Sequence, residues 1–100
     1  MATIHLTIGH NVQNVKRWTL PDVCAAFERL TGVEAYTAIP CFGMWRGTPE
    51  ESTRIEIVTD TPARILEKIP ALSALLEQEA IMCEEVTGKT TFVVPADNAA

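Results

Sequence analysis

The sequence predicts a single α+β domain in which an antiparallel sheet carries its helices on one face. Three observations predict it: segments of strict two-residue alternation, two stretches of helical spacing between them, and their order along the chain. That order is strand, helix, strand, strand, helix, strand, within 100 residues that leave room for one core. The domain is expected over residues 1–94. Residues 95–100, a run of small residues from Pro95, are expected as a frayed tail.

Each element has its own signal. Thr3-Ile4-His5-Leu6-Thr7-Ile8 alternates, with Ile4, Leu6 and Ile8 on one side, and Gly9-His10-Asn11 ends the strand. Asn11 to Trp18 reads as a polar loop. Thr19 then caps a helix, with Pro21 in the first turn, Asp22 at capping-box spacing, Val23, Phe27 and Leu30 on one face and Gly32 just past the end. Val33 to Trp45 is rich in strand formers, but Pro40 has no N–H to donate, so this strand belongs at an edge or carries a bulge. Residues 46–51 read as turn chemistry. Arg54 to Thr59 alternates again, with Ile55 and Ile57 inward. Asp60 or Thr61 caps a second helix at Pro62, whose apolar positions are Ile65, Ile69, Leu72 and Leu76. Pro70 inside that run predicts a kink or a break. Ala80 to Thr87 returns to strand character with Ile81 and Cys83 inward. Gly88-Lys89 makes a turn or bulge, and Thr91 to Val94 suffice for a short fifth strand. Two split β-α-β units of this kind make the ferredoxin-like βαββαβ plait, with strand order 4-1-3-2 and two helices on one face.

Composition excludes several classes. With 47% hydrophobic and 21% charged residues the chain is an ordinary globule, and no apolar run approaches the roughly 18 residues that cross a bilayer. Eight basic against thirteen acidic side chains give a net charge of −5, the wrong sign for direct nucleic-acid binding. Cys24, Cys41 and Cys83 are odd in number and widely spaced, which fits free, core-packed thiols and a cytoplasmic setting. His5 and His10 fall on opposite parities and suit no metal set with these cysteines, so no metal and no cofactor is expected. Gly88-Lys89-Thr90 ends like a phosphate loop, but Cys83 stands where glycine is needed and Glu84 and Glu85 would repel phosphate. No catalytic set is identifiable.

Two surfaces remain. Strand parity puts His5, Arg54, Glu56 and Met82 on the uncovered face of the sheet, beside Glu84. They read there as a ligand or dimer face, or as plain cross-strand ion pairs on a charged surface without a deep apolar pocket. The second surface is acidic: Glu77, Glu79, Glu84 and Glu85 come with no base between them, and Trp45 and Arg46 are residue types that anchor interfaces.

The run Ile4-His5-Leu6-Thr7-Ile8-Gly9-His10-Asn11 resembles the opening of small phage and prophage accessory proteins, and Gln78-Glu79-Ala80-Ile81 is similar to their helix–strand join. Gly43-x-Trp45 followed by Arg54-Ile55-Glu56-Ile57 resembles a bacterial domain family of unknown function. The pattern departs from the group at His10, where an apolar residue is usual. The resemblance implies a phage-borne protein without known chemistry, placed in the host cytoplasm. On this reading the chain is a non-enzymatic binding protein of a mobile element, an anti-CRISPR-like inhibitor of a bacterial defence complex. Its acidic surface would be steered onto a basic channel of a host protein. Two alternatives stand beside it. One is a small-molecule binder or small enzyme built as a homodimer on the open sheet face; the other is a phage structural or assembly factor.

Overall fold

In the computed structural model, which describes residues 1–86 and 89–97, β1 (Ala2–Gly9) buries Ile4, Leu6 and Ile8 completely and turns His5 and Thr7 to the opposite face. A two-residue turn at Gln13-Asn14, both with positive φ, joins the short strands β2 (Asn11–Val12) and β3 (Val15–Lys16). The stretch expected as a loop is therefore a small hairpin. Helix α1 (Leu20–Thr31) starts at a complete capping box. The Thr19 hydroxyl accepts from the Asp22 backbone, and the Asp22 carboxylate accepts from the Thr19 N–H at 2.9 Å. Two bonds donated to that carboxylate, by the Thr19 N–H and by the Thr19 hydroxyl at 2.9 Å, hold the exposed Asp22 carboxyl below its ordinary pKa. Gly32, at φ 69°, ends the helix in the left-handed region that glycine enters without strain.

β4 (Thr37–Trp45) starts later than Val33, and β5 (Thr48–Thr59) starts earlier than Arg54. The turn between them is only Arg46-Gly47, both at positive φ, so most of the run expected as turn is the first part of a long strand. The second helical run breaks as Pro70 requires, into α2 (Pro62–Leu66) and α3 (Ile69–Leu75). Pro70 stands in the first turn of α3, where its missing N–H costs nothing. Thr61 occupies the N-cap of α2 without a side-chain hydrogen bond to it. β6 (Ile81–Glu85) and β7 (Lys89–Val93) complete the sheet, in the order β4-β5-β1-β6-β7. That is the antiparallel α+β arrangement of a ferredoxin-like plait, with the fifth strand outside β6 and the proline-bearing β4 at the opposite edge. Thr87, Gly88 and residues 98–100 lie outside the described residues, and with them part of the expected turn and tail. Within the tail, Ala96 donates its N–H to the Pro70 carbonyl at 3.3 Å.

The core lies between the sheet and the helices. Ile4, Leu6, Ile8, Ile55, Ile57, Ile81 and Cys83 meet Val23 and Phe27 from α1, Ile65 from α2, and Ile69 and Leu72 from α3. Tyr36 packs edge-on against Phe27 with ring centroids 5.2 Å apart. Burial pushes the Cys83 thiol up to about 11, so it is inert as a nucleophile. No helix among the described residues is long and apolar enough to cross a membrane, and no group of His, Cys, Asp and Glu there could hold a metal ion.

One buried group makes stability depend on pH. His10 is 5% exposed, its Nε2 lies 2.7 Å from the Thr53 hydroxyl, and its Nδ1 has no hydrogen-bond partner among the described residues. Burial lowers its pKa from 6.5, against a smaller opposing effect of Glu51. A lowered folded pKa means that the unfolded chain takes up a proton that the folded one refuses. The stabilisation is therefore complete above about pH 6.5 and is lost as pH falls toward the folded value. Thermal unfolding should show a falling midpoint between pH 7 and pH 5. That window lies above the one set by Asp22 and Glu51, whose pKa values are also lowered but from the carboxylate range. His10→Phe should flatten the dependence between pH 7 and 5, and an unchanged slope in that variant would refute the assignment.

Candidate functional site

The open face of the sheet divides into two regions. At its centre the antiparallel register sets His5 between Glu56 of β5 and Glu84 of β6. Arg54 donates from its guanidinium to His5 Nδ1 and pairs through Nε with the Glu56 carboxylate at 3.1 Å, while His5 Nε2 lies 3.7 Å from that same carboxylate. An Nδ1 that accepts from arginine is the deprotonated ring nitrogen, so His5 is held as the Nε2–H tautomer. Glu56 already neutralises Arg54, which leaves little net charge here to clamp an anion. The three residues come together as parity predicts, as an ion-paired set in which the buried Arg54 Nε lies within ion-pair distance of Glu56 but makes no hydrogen bond among the described residues.

The second region is a cavity of about 390 Å³ toward the end of the sheet where β1 finishes and the β4–β5 hairpin projects. The expectation that the open face lacks a pocket is thus corrected, because the long β5 carries the hairpin past the end of β1 and makes a wall there. Thr7, Gly9, Glu50, Ser52 and Met82 form its floor on neighbouring strands, and Gly43, Trp45 and Thr48 belong to the hairpin. The opposite wall is the 77–80 segment between α3 and β6, and Asn11, Gln13 and Asn14 border one end.

Buried polar groups fix these walls. Gln78 donates from its amide to the carbonyls of Asn11 at 3.0 Å and Leu76 at 3.2 Å, and its own carbonyl accepts from the Ser73 hydroxyl at 3.1 Å. Trp18 adds a bond from its indole N–H to the Leu76 carbonyl at 2.8 Å. Such bonds, made by groups that would otherwise be buried unsatisfied, hold the segment against the β2–β3 hairpin.

Three carboxylates enter the cavity and differ in their partners. Glu77, in the left-handed region at φ 54°, pairs with Arg17 at 2.7 Å. Glu79 pairs with Arg46 at 3.3 Å and accepts from the Trp45 indole N–H at 3.4 Å, which ties the hairpin tip to the far wall. Glu50 has no cation within ion-pair distance among the described residues; its Oε2 accepts the Asn11 backbone N–H at 2.9 Å. It also occupies the space beside Gly9 so closely that a Cβ there would overlap the carboxylate. A negative charge thus stands unneutralised in a partly enclosed cavity, a place for a cation.

The residues singled out from the sequence distribute over both regions. Trp45, Glu77, Glu79 and Met82 line the cavity, with Arg46 outside it on Glu79. His5, Arg54 and Glu56 form the central set, with Glu84 opposite His5 in the register. Glu85 pairs with Ile4 and has the parity of the helix side, so the four late glutamates do not make one surface. Sequence reading missed Glu50, Gly9, Asn11 and Gln78. The signal for Glu50 and Gly9 was present: the alternation of Arg54 and Glu56 continued backwards through Ser52 reaches Glu50, and that of His5 and Thr7 continued forwards reaches Gly9.

No protein-family model matches the chain, and no curated protein matches it. Solved structures do match. A phage SAM lyase in the apo state superposes with a TM-score of 0.77 at 18% identity, over 96% of this chain and 90% of that one. A phage SAM lyase in complex with S-methyl-5'-thioadenosine superposes with a TM-score of 0.75 at 17% identity, over 93% and 88%. The shared fold overturns the expectation of a non-enzymatic, anti-CRISPR-like inhibitor, since both of these near-full-length counterparts are structures of an enzyme.

Proposed function

We propose that this chain is a lyase that cleaves S-adenosylmethionine and releases methylthioadenosine, using the cavity under the β4–β5 hairpin. The observation that carries the reading is Glu50, a carboxylate without a cationic partner among the described residues, in a cavity whose other two acids are already paired. The substrate is a sulfonium with a net positive charge, and a fixed carboxylate selects it over neutral thioethers. The volume of about 390 Å³ falls within the range of roughly 300–1,000 Å³ usual for small-molecule sites. The net charge of −5 favours encounter with a cation.

Atom balance restricts the chemistry. Methylthioadenosine keeps the sulfur, its methyl group and the adenosyl carbon, so the bond that breaks joins sulfur to the γ-carbon of the methionyl chain. Its electron pair goes to sulfur and cancels the sulfonium charge. No water is consumed, so the four-carbon fragment closes on its own carboxylate or loses a β-proton. The protein's part is to hold the sulfonium, orient the chain and exclude water. Incubation of the purified protein with S-adenosylmethionine, followed by liquid chromatography and mass spectrometry, should show methylthioadenosine and a four-carbon amino-acid product in equal amounts. The lactone and the unsaturated acid are isomers of equal mass, so retention time and fragmentation of the second product separate them. Intact substrate after prolonged incubation with folded protein would refute the proposal.

A further inference from the structure

We infer that the Ser52 hydroxyl binds the α-carboxylate of the substrate's methionyl chain, so that the floor of the cavity selects a sulfonium that is also an amino acid. The inference rests on the proposed function and assigns the direction in which the methionyl chain lies within that site.

Ser52 is buried without a structural task for its side chain. It is 6% exposed and lines the cavity, yet its hydroxyl makes no hydrogen bond among the described residues. The other buried polar side chains are engaged: His10 with Thr53, Ser73 with the Gln78 carbonyl, and Gln78 with the Asn11 carbonyl. The bonding capacity of Ser52 is therefore directed at whatever occupies the cavity. The register fixes its place there. Ser52 pairs with Gly9 of β1 and with Cys41 of β4, and along β5 it shares the open face with Glu50 on one side and Arg54 on the other.

Charge decides which group of the substrate the hydroxyl meets. The acids that line the cavity are Glu50, Glu77 and Glu79, on the hairpin side of Ser52 and on the 77–80 wall. In the other direction the sheet continues into Arg54, the partner of Thr7 in the register, whose charge Glu56 balances. A carboxylate is repelled from the acidic walls and finds a donor at the least negative end of the floor. Side chains two positions apart on one face of a strand stand roughly 7 Å apart. The methionyl carboxylate is three carbons from the sulfur, so a sulfonium held at Glu50 carries it to Ser52. A hydrogen bond to a charged acceptor is of the strong kind.

Kinetics and calorimetric titration together test this. Ser52→Ala should lower kcat/KM for S-adenosylmethionine roughly 10- to 150-fold, the range for loss of one hydrogen bond to a charged group. Because the hydroxyl has no partner in the fold, the melting temperature should not fall. Methylthioadenosine, which lacks the methionyl chain, and decarboxylated S-adenosylmethionine, which lacks only the carboxylate, should bind the variant and the wild type equally. A kcat/KM within twofold of wild type in Ser52→Ala would overturn the inference while leaving the lyase reading intact. Weakening of either of the two other ligands to the same extent as the substrate would overturn it too, by showing that the hydroxyl reads another part of the molecule or only shapes the site. Failure of the wild type to bind methylthioadenosine or to cleave the substrate would instead remove the proposed function, and the inference with it.

Discussion

Glu50→Gln should raise KM for S-adenosylmethionine and leave kcat nearly unchanged. Glutamine has the same shape, and its amide oxygen can still accept the Asn11 N–H, so the change removes charge and little else. Two unit charges about 4 Å apart interact by roughly 4 kcal/mol at an effective dielectric constant near 20, and partial exposure of the site reduces that. A 10- to 100-fold rise in KM, on the order of 1–3 kcal/mol, is therefore the expected size. The split between the two constants follows from the chemistry. The sulfonium charge disappears as the carbon–sulfur bond breaks, so a carboxylate facing it holds the ground state at least as firmly as the transition state. Two further measurements check the same idea. The affinity for methylthioadenosine, which carries no charge, should be insensitive to the substitution, and KM should rise with added salt in the wild type but hardly in the variant. A collapse of kcat with unchanged KM would contradict a counter-charge and make Glu50 a proton-transfer group instead.

The fold was legible because one physical rule, burial of a single face, governs most of the elements. Ile4, Leu6 and Ile8 could only be the inner side of β1, and the capping box at Thr19 and Asp22 marks the start of α1 from local hydrogen bonding alone. The cavity was less legible, for two reasons. Turn residues outvoted alternation at Pro49 and Glu50: proline and acidic residues are common in turns, so residues 46–51 read as loop, yet Arg46 and Gly47 suffice for the turn and β5 starts at Thr48. The far wall depends on Gln78 reaching Asn11, a bond between residues 67 positions apart that no local pattern encodes. The late glutamates show the same limit. A run of like charges suggests one acidic surface, but strand parity separates Glu84 from Glu85, and arginines from other segments neutralise Glu77 and Glu79. Which carboxylate stays unpaired is a property of the assembled fold.

Gly9→Ala should reproduce the loss seen in Glu50→Gln without changing any charged residue. A methyl group at position 9 overlaps the Glu50 carboxylate, and what it meets is the end of a flexible side chain, which gives way where backbone would not. Gly9 does not occupy the left-handed region, so alanine imposes no backbone strain, and the pairing of β1 with β5 at Ser52 persists. The fold should survive with a melting temperature close to that of the parent, while the carboxylate swings out and releases the Asn11 N–H. Since both substitutions act on the same charge, their effects should not add. The Gly9→Ala, Glu50→Gln double variant should be no more impaired than the worse single one, whereas independent sites would multiply. Wild-type KM in Gly9→Ala, or a multiplicative loss in the double variant, would show that the placement of this carboxylate against β1 is not what binds the substrate.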